Sequence, residues 1–290
     1  MEMKPITSMP EFNQMLERKE LNGAFDMPFD LYLGCGLPGS TDLQHYEKGP
    51  IHYLAAREAP KTETPDMVTG RALHCRILEP KAEYEKRFVT EPIGTNKRSN
   101  EGKQKYAEFM RENSGKTILT RAQQGTVDSC ISWIARQENT YLLQGGISEV
   151  TMFTEFEGAW FRGRLDKYNP KLNYICDLKS TTHDTPEEFV RSAIRYGYHI
   201  QAAYYNLLAQ RALGVPPPAY YLVGLPKKPP HELMIFRLGE SAMVLGHEIA
   251  IRLMCDHAKC VRDNHWPFNE QEIMKMEAPD WALREEGLIE

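Results

Sequence analysis

The chain has 290 residues, 41% hydrophobic and 26% charged, with a net charge of −5 and a pI near 6.0. That length can bury a sizeable core, and the composition excludes a disordered or low-complexity chain. No run approaches the ~20 apolar residues of a membrane span, and the mild acidity excludes a protein that coats nucleic acid through bulk basicity.

Met1 to Pro10 lacks the apolar core of a signal peptide, so a cytoplasmic protein without membrane association is expected. The six cysteines, at 35, 75, 130, 176, 255 and 260, are scattered, and reduced thiols are the default. Cys255 and Cys260, with His257 between them and His265 beyond, do not match a zinc spacing and read as free cysteines on a helix.

Residues 1–40 read as irregular, with Gly34, Gly36, Pro38 and Gly39 clustered. Ser40 is an expected N-cap for a helix from Thr41 to Lys48, and His52–Arg57 continues as a helical fragment. Asp66–Leu78 reads as a helix that stops before Pro80 and carries Gly70 and His74 four apart on one face. Glu91–Gly102 is polar and reads as an exposed loop, followed by a helix over Lys103–Asn113. Thr120 precedes a helix ending near Glu138.

Glu149–Phe156 alternates as a strand does, Glu157-Gly158-Ala159 is a turn signal, and Trp160–Lys167 and Tyr174–Lys179 complete a three-stranded meander. Thr185-Pro186-Glu187-Glu188 is a helix start whose helix runs to Leu213, with Gly197 as a possible interruption. Ala219–Leu225 and Leu233–Leu238 read as strands around a Pro-rich hairpin, and Ser241–Asp263 as a long final helix.

The chemistry sits in the meander. Asp166 ends one strand, and Asp177 lies two residues before Lys179 on the next, so period-two alternation puts Asp177 and Lys179 on one face. Two carboxylates and an ammonium make a poor core, because burying charge is costly, but they can hold a divalent cation against a phosphodiester. Asp166 and Asp177 would be direct ligands, with the Leu178 carbonyl as another. Lys179 would orient or help deprotonate the attacking water and stabilise developing charge. His74 could ligate a cation or hold a water, and Gln201 and Tyr205 project from one helix face toward a phosphate or the metal's waters. Taken singly, each has a blander reading: a solvated strand end, a core histidine, ordinary packing. The ordered combination favours chemistry.

Gly70-Arg71-Ala72-Leu73-His74, Arg162-Gly163-Arg164-Leu165-Asp166, Asp177-Leu178-Lys179-Ser180-Thr181 and Tyr198-His199-Ile200-Gln201-Ala202-Ala203-Tyr204-Tyr205 resemble the RecE-type exonucleases of the PD-(D/E)XK superfamily. That group also holds the RecB nuclease domain and lambda exonuclease. The Gly-x-x-x-His and Gln-x-x-x-Tyr pair is the specific part, and the likeness covers roughly residues 30 to 225.

The resemblance implies an α/β fold with a central mixed β-sheet flanked by helices. It implies Mg²⁺ or Mn²⁺ dependence and 5′→3′ digestion of linear double-stranded DNA to leave a 3′ single strand. It also implies a ring-shaped homo-oligomer and a single-strand annealing partner. By residue, it makes His74, Asp166, Asp177 and the Leu178 carbonyl members of the metal site, Lys179 the catalytic lysine, and Gln201 and Tyr205 the supporting motif. Glu149 sits where some relatives have an acidic residue at a strand start, with Glu155 an equally available carboxylate. An iron–sulfur cluster is not expected, because only Cys255 and Cys260 are late in the chain.

We read one nuclease domain over 1–290: an N-terminal helical or irregular extension to residue 65, a catalytic core over 66–240, and a C-terminal helix and tail. Expected DNA contacts are Lys97, Arg98 and Lys103 on the loop, Arg162 and Arg164 beside the metal strand, and Arg191 and Arg195 on the helix that follows. A structure-specific or single-strand nuclease of the same fold, and a non-catalytic DNA-end-binding protein, are the alternatives.

Overall fold

The computed structural model describes residues 3–60, 62–93, 99–269, 273 and 275–289. Its frame is a seven-stranded sheet built from β1 (Lys4–Pro5), β2 (Gly23–Asp26), β5 (Ile147–Phe156), β6 (Ala159–Asn169), β7 (Tyr174–Thr181), β8 (Ala219–Pro226) and β9 (Met234–Arg237), adjacent in that order. β1–β2 and β7–β8 pair parallel and the other neighbours antiparallel, which makes the sheet mixed. A separate two-stranded sheet joins β3 (Phe88–Thr90) to β4 (Thr117–Leu119).

The meander of β5, β6 and β7 follows from its turns: Glu157 and Gly158 both take positive φ, and Asn169 Oδ1 accepts from the amides of Lys171 and Leu172 in the next loop. Return to a parallel β8 requires a crossover, supplied by helices Pro186–Arg195 and Tyr198–Leu213. Thr185 caps the first by accepting from Glu188 N. Gly197, at φ 67°, divides the two, at the interruption the sequence allows there.

Tyr198–Leu213 is buried almost throughout. It lies between one side of the sheet (Val150, Met152, Phe161, Leu165) and the long helix Glu240–Asp263 (Ala250, Leu253, Met254). Gly246 permits that approach: a Cβ there would overlap the His199 carbonyl oxygen. Helices Pro65–Leu78 and Arg121–Ile134 cover the strand residues Cys176, Leu178, Val223 and Leu225 with a second core.

The N-terminal segment departs from the sequence reading. Residues 3–40 are not irregular: they give two strands to the main sheet and form helices Met9–Glu17 and Phe29–Gly34. Ile6, Phe12, Leu21, Phe25 and Met27 pack on Phe153 of β5. The first 65 residues are therefore not an appendage to a core that starts at 66. Smaller corrections concern helix ends. The helix at Ser40 is capped by Gly39 and gives way to a 3₁₀ turn over Gln44–Lys48. The helices expected from Asp66 and from Lys103 begin at Pro65, capped by Thr64, and at Asn100, capped by Ser99.

Candidate active site

β6 and β7 pair at Asn169↔Tyr174, Tyr168↔Ile175 and Lys167↔Cys176, and the ladder stops there. The next residues, Asp166 and Asp177, sit at the fork where the strands part. Asp166 Oδ2 bridges the gap by accepting from Leu178 N at 2.8 Å. The same oxygen lies 3.4 Å from His74 Nδ1. The His74 helix reaches this position because Gly70, one turn earlier, faces β7: a Cβ there would stand 3.3 Å from Ser180 Oγ. Its C-terminal end is pinned as well, with the Leu78 carbonyl accepting from Ser148 Oγ and lying 3.5 Å from the buried Lys167 Nζ.

Asp177 is 2% exposed. Lys179 Nζ stands 2.6 Å from Asp177 Oδ2 as a charge-assisted ion pair, and among the described residues no other group donates to that oxygen. The Lys179 ammonium also lies 5.0 Å from the centre of the Tyr198 ring. Sequence reasoning gave Tyr198 no role, although it directly follows the Gly197 break and opens a motif segment.

Burial and pairing set the charges. Burial raises the Asp177 carboxyl, Lys179 opposes it, and the net shift is upward. For Asp166, burial also raises, but the His74 charge and hydrogen bond win and the net shift is downward. For His74 and Lys179, burial lowers while the carboxylates raise, His74 through Asp166 and Lys179 chiefly through Asp177, and both end raised. Each shift is thus set by burial on one side and the neighbouring opposite charge on the other.

Glu149 lies in β5 at φ 58°. The flanking register, Ser148↔Lys167 and Val150↔Leu165, puts it across from Asp166. Glu155 pairs with Trp160 at the turn end of the hairpin, so Glu149 is the carboxylate of that strand at the fork. Burial raises the Glu149 carboxyl, and Arg164, whose Nε is 2.6 Å away, opposes it.

Gln201 Nε2 donates to Tyr205 Oη at 3.3 Å. Tyr205 is buried against β6 at Gly163, where a Cβ would stand 3.3 Å from its ring and 2.8 Å from Leu208 Cδ2.

The expected DNA contacts divide. Arg162 is 6% exposed: its guanidinium reaches the carbonyls of Tyr32 and Leu33, Cys35 Sγ and Asp42, and it lies over the Tyr32 ring. Arg164 donates to Glu149, to the Met27 carbonyl at 2.7 Å and to Thr151 Oγ1 at 2.8 Å, and lies by the rings of Phe29 and Tyr32. Neither is offered to a phosphate; both tie β6 to the N-terminal segment. Lys103, Arg191 and Arg195 are exposed and stay available. Lys97 and Arg98 lie outside the described residues.

The donor chemistry fits a hard divalent cation: carboxylates from two strands, with Asp177 Oδ2 buried and met by Lys179 alone among the described residues. The donors are not preassembled. Among the described residues no group of three or more His, Cys, Asp or Glu side chains is arranged to hold a metal. Asp166 is turned to His74, Asp177 to Lys179 and Glu149 to Arg164.

Comparisons with known proteins agree with this frame. The family described as "PDDEXK-like domain of unknown function (DUF3799)" matches residues 39–276. A solved structure from Eubacterium rectale, described there as a candidate exonuclease, aligns over 88% of this chain and 95% of its own, with 16% identity and a TM-score of 0.54. At that identity the likeness is one of fold. A second solved structure, of SSO0001, covers 73% of this chain and 84% of its own at 14% identity and a TM-score of 0.26, and carries no argument. Among curated proteins, none matches the sequence. No helix among the described residues is long and apolar enough to cross a membrane. With most of its length matched and the sheet, the fork and the Asp-x-Lys strand in place, the chain belongs to the PDDEXK-like family DUF3799 and has a PD-(D/E)XK nuclease fold.

Proposed function

We propose that the chain is a metal-dependent exodeoxyribonuclease that hydrolyses linear double-stranded DNA 5′→3′ and leaves a 3′ single strand for an annealing partner. The observation that carries this is the buried Asp177 carboxylate, paired with Lys179 at 2.6 Å at the fork with Asp166. Burying a carboxylate and an ammonium together costs stability, and such costs persist where a site requires them. Family membership and the likeness to a candidate exonuclease support the same reading.

Asp166, Asp177, the Leu178 carbonyl and His74 would hold Mg²⁺ or Mn²⁺, with Glu149 joining from β5. Bound there, the ion supplies Lewis acidity and lowers the pKa of a coordinated water. Lys179 is an ammonium in this arrangement, and it stabilises negative charge on the phosphoryl oxygens. His74 and the Leu178 amide fix the Asp166 carboxylate from two directions. Gln201 and Tyr205 brace one another beside β6 and would orient the strand end, while Arg191, Arg195 and Lys103 are exposed cations that would meet backbone phosphates. A ring-shaped assembly around the duplex belongs to the same proposal.

The test is digestion of end-labelled linear duplex with Mg²⁺, with and without chelator, for the wild type, Asp177→Ala and Lys179→Ala. Loss of at least ~100-fold in both variants is expected. Activity that survives in both removes the assigned site, and cleavage of closed circles turns the reading to an endonuclease.

A further inference from the structure

One face of the β5–β6 hairpin carries a row of polar pairs that leads to the fork. Thr151 is registered with Arg164, and Glu149 stands across from Asp166. The N-terminal segment covers this row. Arg164 crosses it: Nε donates to Glu149 at 2.6 Å, and Nη1 to Thr151 Oγ1 and the Met27 carbonyl, with the Phe29 and Tyr32 rings beside the guanidinium. Glu149 holds a left-handed backbone in mid-strand, a conformation that costs a non-glycine residue about 1–2 kcal/mol and persists only when its surroundings impose it. The residues that grip Arg164 from outside, Met27, Phe29 and Tyr32, precede the stretch matched by the family.

We propose that Arg164 is a positioning residue: it fixes the Glu149 carboxylate across from Asp166, and the N-terminal segment Met27–Tyr32 fixes Arg164. Glu149 is thereby a donor of the metal site whose direction is set from outside the fork. The inference rests on the nuclease reading. It changes what Met27–Tyr32 is for: that stretch completes the site.

The experiment uses the full chain as wild type, Arg164→Met, Arg164→Lys, Glu149→Gln and the Arg164→Met/Glu149→Gln double variant. Three quantities are read: Mn²⁺ affinity by titration calorimetry without DNA, the Mn²⁺ midpoint for cleavage of linear duplex, and the melting temperature in chelator. Loss of a residue that orients a ligand costs about 10–100-fold in metal affinity. Arg164→Met is expected to weaken Mn²⁺ binding and raise the cleavage midpoint by about tenfold, with Arg164→Lys recovering part of the loss. Because Arg164 acts through Glu149, the double variant is expected to match the worse single variant rather than their product. Single-variant effects that multiply, or an Arg164→Met protein that melts lower yet binds Mn²⁺ as the wild type does, overturn the inference and leave the nuclease reading intact. A wild type that takes up no Mn²⁺ overturns the metal site itself, and this inference with it.

Discussion

Replacing Lys179 by Met strips the counter-charge from a buried carboxylate, and the geometry sets the size of the effect. The Asp177 side chain is 2% exposed and that of Lys179 18%. Removing one member of a buried ion pair costs about 3–5 kcal/mol, and the partly wetted lysine places this pair near ~3 kcal/mol. The stranded carboxylate can escape by taking a proton. For a group of ordinary pKa ~3.9, that costs about 1.36 kcal/mol per pH unit above the pKa. The ceiling is about 1.5 kcal/mol at pH 5 and about 5.6 kcal/mol at pH 8. The variant should therefore lose about 1.5 kcal/mol at pH 5 and the full ~3 kcal/mol at pH 8. The sign follows from linkage. Burial already raises Asp177, and without Lys179 the native state keeps a proton that the unfolded chain releases. Stability then falls as pH rises from the unfolded value, ~3.9, toward the folded one. Thermal melts in chelator, at ~2 °C per kcal/mol for a chain of this size, should drop by about 3 °C at pH 5 and about 6 °C at pH 8. Asp177→Asn/Lys179→Met, which leaves no charge behind, should regain most of the loss. A deficit that does not change with pH, or a double variant as unstable as the summed singles, would refute the reasoning.

Gly246→Ala drives a methyl group into the His199 carbonyl and should cost more than ~3 kcal/mol, read as a lower melting temperature and looser packing of the last long helix. His231 joins the helix Arg121–Ile134 to the β8–β9 connection: Ser129 Oγ lies 2.8 Å from Nε2, Nδ1 lies 2.7 Å from the Pro226 carbonyl, and Gln137 Nε2 donates to the His231 carbonyl at 2.9 Å. His231→Ala should lower stability by about 2 kcal/mol in urea titration while leaving cleavage per folded molecule unchanged. All six cysteines are free and only Cys255 is exposed, so a thiol reagent should titrate one group in the native protein and six in denaturant.

What the sequence disclosed, and what it hid, divides by range. The meander, the Thr185 cap and the Gly197 break were legible because each is written in adjacent residues. Asp166, Asp177 and Lys179 were legible for the same reason: one hairpin spans them. The two-residue β1 and four-residue β2 are too short for alternation to show, and β1 includes a proline. Arg162 and Arg164 look like phosphate contacts in sequence because their acceptors lie on other elements: residues 32–35 and 42 for Arg162, more than a hundred positions away, and Met27, Glu149 and Thr151 for Arg164. Charge can be counted along a chain, but the partner that neutralises it depends on how the chain folds back.

The Leu178 amide relies on a side chain for its hydrogen bond at the fork, and Asp166 supplies it. Architecture and chemistry thus share one carboxylate oxygen. Truncating Asp166 to alanine would deprive the strand of an acceptor while it removed a ligand of the proposed metal site, so an inactive Asp166→Ala variant would be ambiguous between a missing ligand and a displaced β7. Asp166→Asn keeps an oxygen for the amide and lowers only the charge, which makes it the cleaner question to ask of this position.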